Sequence, residues 1–273
     1  MLADLSINQR TLRQWGLETL LAAAVKRGVG GVGVWRDQIE QLGVEWCRTL
    51  VEESGLRLTS LCRGGFFTGA GGEPVGNLAD NRRAVEEAHA LGAEALVLVC
   101  GAAPDGDTGE GERRVAAALA ELVPYAAERG VRLAIEPMHP MYCADRSVIV
   151  TIDQALRLAA PYPADQVGLA LDTYHIWWDP DLPEVIRRAT GRIHVFQVAD
   201  WVEPLGHPLL SRGLPGAGVI RIRELHERVR EAGFEGLVEV EIFNEALWSQ
   251  DGDAAFDDVC RAFADHVELP EGR

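Results

Sequence analysis

Short aliphatic and β-branched runs alternate with longer segments of helical period along the whole chain, and no break in the pattern is long enough to be a linker. Eight runs predict strands over residues 4–7, 31–35, 57–62, 95–100, 131–136, 167–172, 192–197 and 237–242. Between them, helices are predicted over 17–26, 44–54, 78–90, 112–128, 152–159, 182–188, 222–231 and 254–266. Gly28, Gly55, Gly92, Gly130 and Gly233 each fall just past a predicted helix, where a left-handed cap residue is expected. Strict alternation implies a parallel sheet, and eight strands can close it. The expected architecture is therefore α/β, a (β/α)8 TIM barrel formed by one domain spanning residues 1–273. An open doubly wound sheet is the alternative, but it usually carries a glycine-rich phosphate turn after its first strand, and Asn8-Gln9-Arg10-Thr11 is not one. The GVGGVG stretch at 28–33 precedes a strand, so it is read as packing and turn glycine and not as a nucleotide fingerprint.

Alternate side chains of a strand face opposite sides of the sheet, which sorts the polar residues of the late strands. Val131, Leu133 and Ile135 share the helix-facing side, so Ala134 and Glu136 face the barrel interior. Gly168, Ala170 and Asp172 follow by the same count in the sixth strand, and Leu237, Glu239 and Glu241 in the eighth. In the seventh strand, His194 and Phe196 oppose Ile193 and Val195, which directs His194 inward. Glu136, Asp172, His194 and Glu241 thus converge from four successive strands at the carboxyl ends, where barrel enzymes place their active sites. A single acid at a strand end is ordinarily a cap or a rim residue; four such residues on one face point to a site. Acids crowded into a confined mouth repel each other and take up protons, so the pattern expects a bound divalent cation. An oxygen-rich set with one nitrogen suits Mn2+, Mg2+ or Co2+ alike and leaves catalytic Zn2+ open; Mn2+ is the first expectation, without the donor set selecting it.

Composition narrows the chemistry further. The 273 residues carry 26 Lys+Arg against 42 Asp+Glu, a net charge of −16, which argues against nucleic acid as a partner. Lys26 is the only lysine and lies in a predicted helix, which excludes Schiff-base and P-loop chemistry. The five cysteines are scattered singly, no export signal is evident and no apolar run approaches the length of a membrane span; the expectation is a reduced, cytoplasmic protein.

Leu133-Ala134-Ile135-Glu136-Pro137, Leu171-Asp172-Thr173-Tyr174-His175, Ile193-His194-Val195 with Asp200 following, and Gly236-Leu237-Val238-Glu239-Val240-Glu241 together resemble the xylose-isomerase-like barrel family of sugar and sugar-phosphate isomerases and epimerases. That family also contains inosose dehydratases and an endonuclease branch. The resemblance implies that the positions of Glu136, Asp172, His194 and Glu241 hold one divalent metal and that the two glutamates exchange protons with substrate. It further implies that His175 contacts a substrate oxygen, and that Arg212 corresponds to the arginine following the seventh strand, although the intervening segment is longer here.

The residues support the same chemistry independently. A cation polarising a ketose carbonyl stabilises the enediolate left when a carbon-bound proton departs, and two carboxylates on different sides can remove and return that proton. Arg36, Arg63 and His139 are candidates to meet substrate hydroxyls at the mouth; Gln197 and Asp200 are candidates to orient His194 or the substrate. Trp35, Trp177, Trp178 and Trp201 fall near strand ends, where they could face sugar carbons, form loop cores or take part in a homodimer contact. The Pro215-Gly216-Ala217-Gly218 turn is read as plain turn chemistry ahead of phosphate binding. The expected activity is a metal-dependent, ketose-type isomerase or epimerase with a small carbohydrate substrate. The alternatives are a metal-dependent dehydratase, a phosphodiester-cleaving relative of the endonuclease branch, and a non-catalytic barrel subunit.

Overall fold

The computed structural model describes residues 2–269. Eight strands form a closed barrel in chain order: β1 (Leu5–Asn8), β2 (Gly31–Trp35), β3 (Arg57–Gly65), β4 (Leu96–Val99), β5 (Leu133–Ile135), β6 (Val167–Asp172), β7 (Ile193–Val198) and β8 (Val238–Val240). Each is parallel to the next, and β8 pairs with β1 to close the ring. The connecting helices are α1 (Leu17–Arg27), α2 (Arg36–Leu42), α3 (Val44–Ser54), α4 (Leu78–Leu91), α5 (Thr108–Ala127), α6 (Ile152–Ala159), α7 (Thr173–Ile176), α8 (Leu182–Arg188), α9 (Ile222–Glu231), α10 (Glu245–Trp248) and α11 (Gly252–His266). No helix among the described residues is long and apolar enough to cross a membrane.

The alternation predicted from sequence is realised, and the glycine stops hold: Gly28, Gly55 and Gly92 cap α1, α3 and α4 in the left-handed conformation. Sequence periodicity misses the short helices α2, α7 and α10, because one or two turns carry too few apolar positions to show a repeat.

Two layers of packing follow from the strand parity. Outward residues such as Leu133, Ile135, Leu169, Leu171, Phe196, Val238 and Val240 pack against the helices in the main core. The barrel interior is lined by a separate cluster of smaller side chains, Cys62, Ala95, Val97, Ala134, Ala170 and Val195. One glycine of the 28–33 stretch has a defined duty: a Cβ on Gly33 would lie 2.5 Å from Glu239 Oε1, so the bare backbone lets a buried carboxylate sit against β2.

The seventh strand departs from simple alternation. Leu169 pairs with Ile193 but the next residue, Ala170, pairs with Val195, so β7 carries an irregularity at His194. The phase reverses beyond it: Val195 joins the interior cluster, while Phe196 packs outward against His226 and Phe234. His194 stays at the amino end of the barrel, where its Nε2 lies 2.7 Å from the carbonyl of Ala164 and its ring fills the space beside Gly168. The interior residue of β7 at the carboxyl end is Gln197. The expectation that His194 joins Glu136, Asp172 and Glu241 is therefore corrected, because one inserted residue reverses every side chain that follows it.

Candidate active site

At the carboxyl end of the barrel a cavity of about 250 Å³ is lined by residues that include Glu136, His175, Gln197, Arg212, Glu241, Arg63 and Arg146. Glu136 follows β5 directly and its backbone N–H still donates to Leu98; Glu241 follows β8 and its N–H donates to Val198. Asp172 ends β6 and caps α7 by accepting the Tyr174 N–H at 2.9 Å, and the single turn of α7 brings His175 back over the same mouth. Each position is fixed by a strand end.

Arg212 stands at the centre, 2 % exposed. Its Nη1 donates to Asp172 Oδ2 at 2.8 Å and to Glu241 Oε2 at 3.1 Å, and its Nη2 lies 3.1 Å from His175 Nε2. A guanidinium can only donate, so His175 Nε2 accepts and its proton resides on Nδ1, which has no partner. Burial, helped by the nearby Arg212 charge, holds His175 well below the ordinary histidine value, so the ring is neutral at physiological pH.

The carboxylates are perturbed the other way. Burial, reinforced by the charge of Asp172, raises Glu136 from the usual 4.5 to about 8. Burial also raises Asp172, with Arg212 acting against the shift, and raises Glu241 well above its usual value despite the same guanidinium. Burial would weaken the proton affinity of Arg212, but Asp172 and Glu241 more than offset it, and Arg212 remains charged. Three buried acids around one cation leave a deficit of positive charge, which protons fill in the absence of another cation.

Below this layer Glu239, fully buried, is saturated with donors. It accepts from Asn8 Nδ2 at 2.7 Å, Thr59 Oγ1 at 2.5 Å, Ser60 Oγ at 2.9 Å and Gln197 Nε2 at 2.8 Å. Because a carboxylate accepts only, this bond orients the Gln197 amide and leaves its buried Oε1 without a partner.

Glu136, Asp172 and His175 each offer a ligand atom, and all three atoms lie within 4.8 Å of one another. Two carboxylates with one imidazole, beside the orphaned amide oxygen of Gln197, form a donor set that fits a divalent cation of oxygen preference. His175, not His194, is the imidazole beside these carboxylates, and its Nε2 could join such a set only by giving up the Arg212 Nη2 contact.

Other expected site residues take structural duties. Arg36 is buried in ion pairs with Asp80 at 2.8 Å and Glu87 at 2.5 Å, away from the cavity wall, so it ties the start of α2 to α4 instead of lining the cavity. Asp200 accepts the backbone N–H groups of Trp201, Gly216, Gly218 and Ile220 and so folds the long segment after β7; the 215–218 amides that could have held a phosphate are partly consumed by it. His139 accepts the Met141 N–H and packs its ring against Trp178 and Trp201, off the cavity wall. Trp177 packs on Trp201 in the same loop core, whereas Trp35 does line the cavity, held by its Nε1 donating to Asn8 Oδ1 at 2.9 Å. Arg212 reaches the centre as expected despite its long loop, because Asp200 and Gly213 pair backbone to backbone and Asn244 Nδ2 holds the Arg212 carbonyl.

Sequence reasoning did not single out Arg10, Arg13, Arg146 or Glu239. Glu239 was legible by parity; the arginines lie in irregular segments with no periodic signal.

Residues 21–265 match the sequence family described as xylose isomerase-like TIM barrel. The chain belongs to that family. A solved protein of Sinorhizobium meliloti 1021, SMc04130, is 39% identical, superimposes with a TM-score of 0.93, and is matched over 98% of this chain and 100% of its own. A putative hydroxypyruvate isomerase of Streptomyces coelicolor is 27% identical over 81% of this chain and 83% of its own length. The IolI protein, solved with a bound zinc atom, shares the fold at 20% identity with a TM-score of 0.82, over 96% of this chain and 97% of that one.

Proposed function

We propose that the protein is a divalent-metal-dependent isomerase or epimerase of a small ketose, with Glu136 and Glu241 as the proton-exchanging pair. One observation carries the reading: two buried glutamates from strands three apart line one cavity, and both are held far above the ordinary carboxylate range. Such groups can hold a proton near neutral pH and release it to carbon chemistry.

Glu136, Asp172 and His175 would hold the cation, with Gln197 Oε1 completing the set, and Mn2+ is the first candidate. When bound, the cation supplies a positive charge that polarises the substrate carbonyl and favours the ionised carboxylates. One glutamate, as carboxylate, removes the proton from the carbon beside the carbonyl, and the resulting enediolate carries its charge on oxygen. Arg212, with two donors already in the site, offsets that developing charge. The other glutamate, protonated, returns a proton: delivery to the opposite face of the same carbon epimerises it, and delivery to the neighbouring carbon isomerises the sugar. The Nδ1–H of the neutral His175, without a partner in the site, would be left to donate to a substrate oxygen. Gln197, oriented by Glu239, presents an acceptor to a substrate hydroxyl or to the cation.

The test is turnover of a panel of ketoses, keto acids and their phosphates with added Mn2+, by wild type and by Glu136→Gln and Glu241→Gln. Each variant is expected to stay folded and to lose about 100-fold or more in kcat, the usual contribution of a general acid or base. Products should keep the substrate's mass; loss of water would reassign the enzyme as a lyase. Wild-type turnover in either variant would remove that glutamate from the mechanism.

A further inference from the structure

A chain of net charge −16 lines the mouth of its barrel cavity with Arg10, Arg13, Arg63, Arg146 and Arg212. Two of these are accounted for. Arg212 is spent on Asp172 and Glu241, and Arg10 pairs with Asp37 at 3.1 Å. The other three are not. Arg63 has no carboxylate within ion-pair distance among the described residues, and its guanidinium instead stacks over Phe66 at 4.0 Å. Arg146 has Asp145 as its nearest acid, at 3.9 Å and beyond hydrogen-bond reach, lies 5.8 Å over the Tyr142 ring, and its buried Nε has no hydrogen-bond partner. Arg13 rests over Trp248 at 5.0 Å.

Burial, together with the charge of Arg146, pulls Arg63 down to about 10. Two cations thus share the wall of a cavity in which the nearest acids are Glu136, felt by both but bonded to neither, and Asp145 at 3.9 Å from Arg146, whereas other arginines of this chain, such as Arg27, Arg57 and Arg129, hydrogen-bond acids directly. Desolvating a guanidinium without a counter-ion is unfavourable, and a neutral sugar would leave that deficit in place. A carboxylate or a phosphate would remove it, since guanidinium forks match both groups.

We infer that the substrate carries an anionic group, a carboxylate or a phosphate, seated at Arg63 and Arg146 while its ketol end lies at Glu136 and Glu241. The inference rests on the isomerase or epimerase reading for the second half of that statement only. Arg13 and Arg10, at the rim, would draw the anion toward a molecule whose overall field repels it.

Binding, measured by calorimetry without turnover, tests it. The probes are D-fructose 6-phosphate, D-gluconate and D-fructose, titrated at low salt into the Mn2+-loaded protein. At least one anionic probe is expected to bind about tenfold or more tightly than D-fructose, and the tighter of the two identifies the anion as phosphate or carboxylate. Arg63→Gln and Arg146→Gln should each weaken that probe by about tenfold while leaving D-fructose within about twofold, and Arg63→Lys should retain part of the affinity. Circular dichroism establishes that the variants are folded, and should one fail to fold, the other and Arg63→Lys still decide the matter. Equal binding of neutral and anionic probes, or anion binding indifferent to both Arg→Gln changes, overturns the inference. The two readings separate cleanly: Glu241→Gln, outside the residues that would hold the cation, should lose solvent deuterium exchange at the carbon beside the carbonyl whatever the anion affinity, whereas Arg63→Gln should lose anion affinity.

Discussion

Glu136 shows how a single side chain acquires a function from its surroundings. On a solvated rim it would be an ordinary acid; enclosed beside Asp172 it rises from 4.5 to about 8. This has a consequence for stability that can be signed. A carboxyl whose folded value is raised contributes stability that is present below the unfolded value and lost as the pH rises through the folded one. The metal-stripped protein should therefore lose stability between about pH 4.5 and about pH 8 through Glu136. Burial lowers His175, His194 and His226 below 6.5, which acts in the opposite sense: their contribution is present above 6.5 and is lost as the pH falls through the depressed values. Melting temperatures recorded across pH with a chelator present should show an optimum between these limbs. Glu136→Gln should flatten the alkaline limb and leave the acid one; an unchanged alkaline limb would show that Glu136 ionises normally.

At the scale of elements, what matters is where strands end and what loops carry. The inward positions of β5, β6 and β8 were legible because each strand alternates without interruption up to its terminal acid. β7 was not, because a bulge leaves no mark in the hydrophobic pattern: Ile193-His194-Val195-Phe196 reads equally well in either phase. The segment after β7 shows the same dependence. Asp200 gathers four backbone N–H groups and the hydroxyls of Tyr142 and Tyr174 both hold the Pro208 carbonyl, so a loop with little regular structure delivers Arg212 to the centre. Asp200→Ala should destabilise the fold by about 2–4 kcal/mol, since several buried donors lose a charged acceptor together. It should also open the 201–221 segment to limited proteolysis and raise KM. Asp200→Asn, which keeps one oxygen, should be milder in all three. Urea denaturation with mapping of the first cleavage sites checks this, and a variant as stable and as resistant as wild type would leave Asp200 without its structural role.

Over the whole molecule, charge is distributed against its average. A strongly acidic chain encloses a mouth rich in arginine, and at its base keeps three acids that are short of positive charge. A dication entering there competes with protons for the same oxygens, so binding Mn2+ should release protons, and its apparent affinity should strengthen with rising pH until about 8, by up to about tenfold per unit for each proton displaced. Calorimetry in buffers of different ionisation enthalpy measures both quantities. Affinity independent of pH between about 6 and 8 would exclude Glu136 from the ligand set.

The amino-acid order by itself determined the architecture and placed Glu136, Asp172 and Glu241, three of the four expected residues, at the carboxyl ends of their strands, because hydrophobic period and terminal acids are local properties carried by consecutive residues. It also revealed the excess of acid and the near absence of lysine. Only the tertiary structure decided that His175 and Gln197 stand where His194 was expected, that Arg36 and Asp200 serve the scaffold, and that Arg63 and Arg146 line one mouth without a hydrogen-bonded carboxylate. Each of these depends on register or on distance between segments far apart in the chain, and closure of the barrel sets both without leaving a trace in any one stretch of sequence.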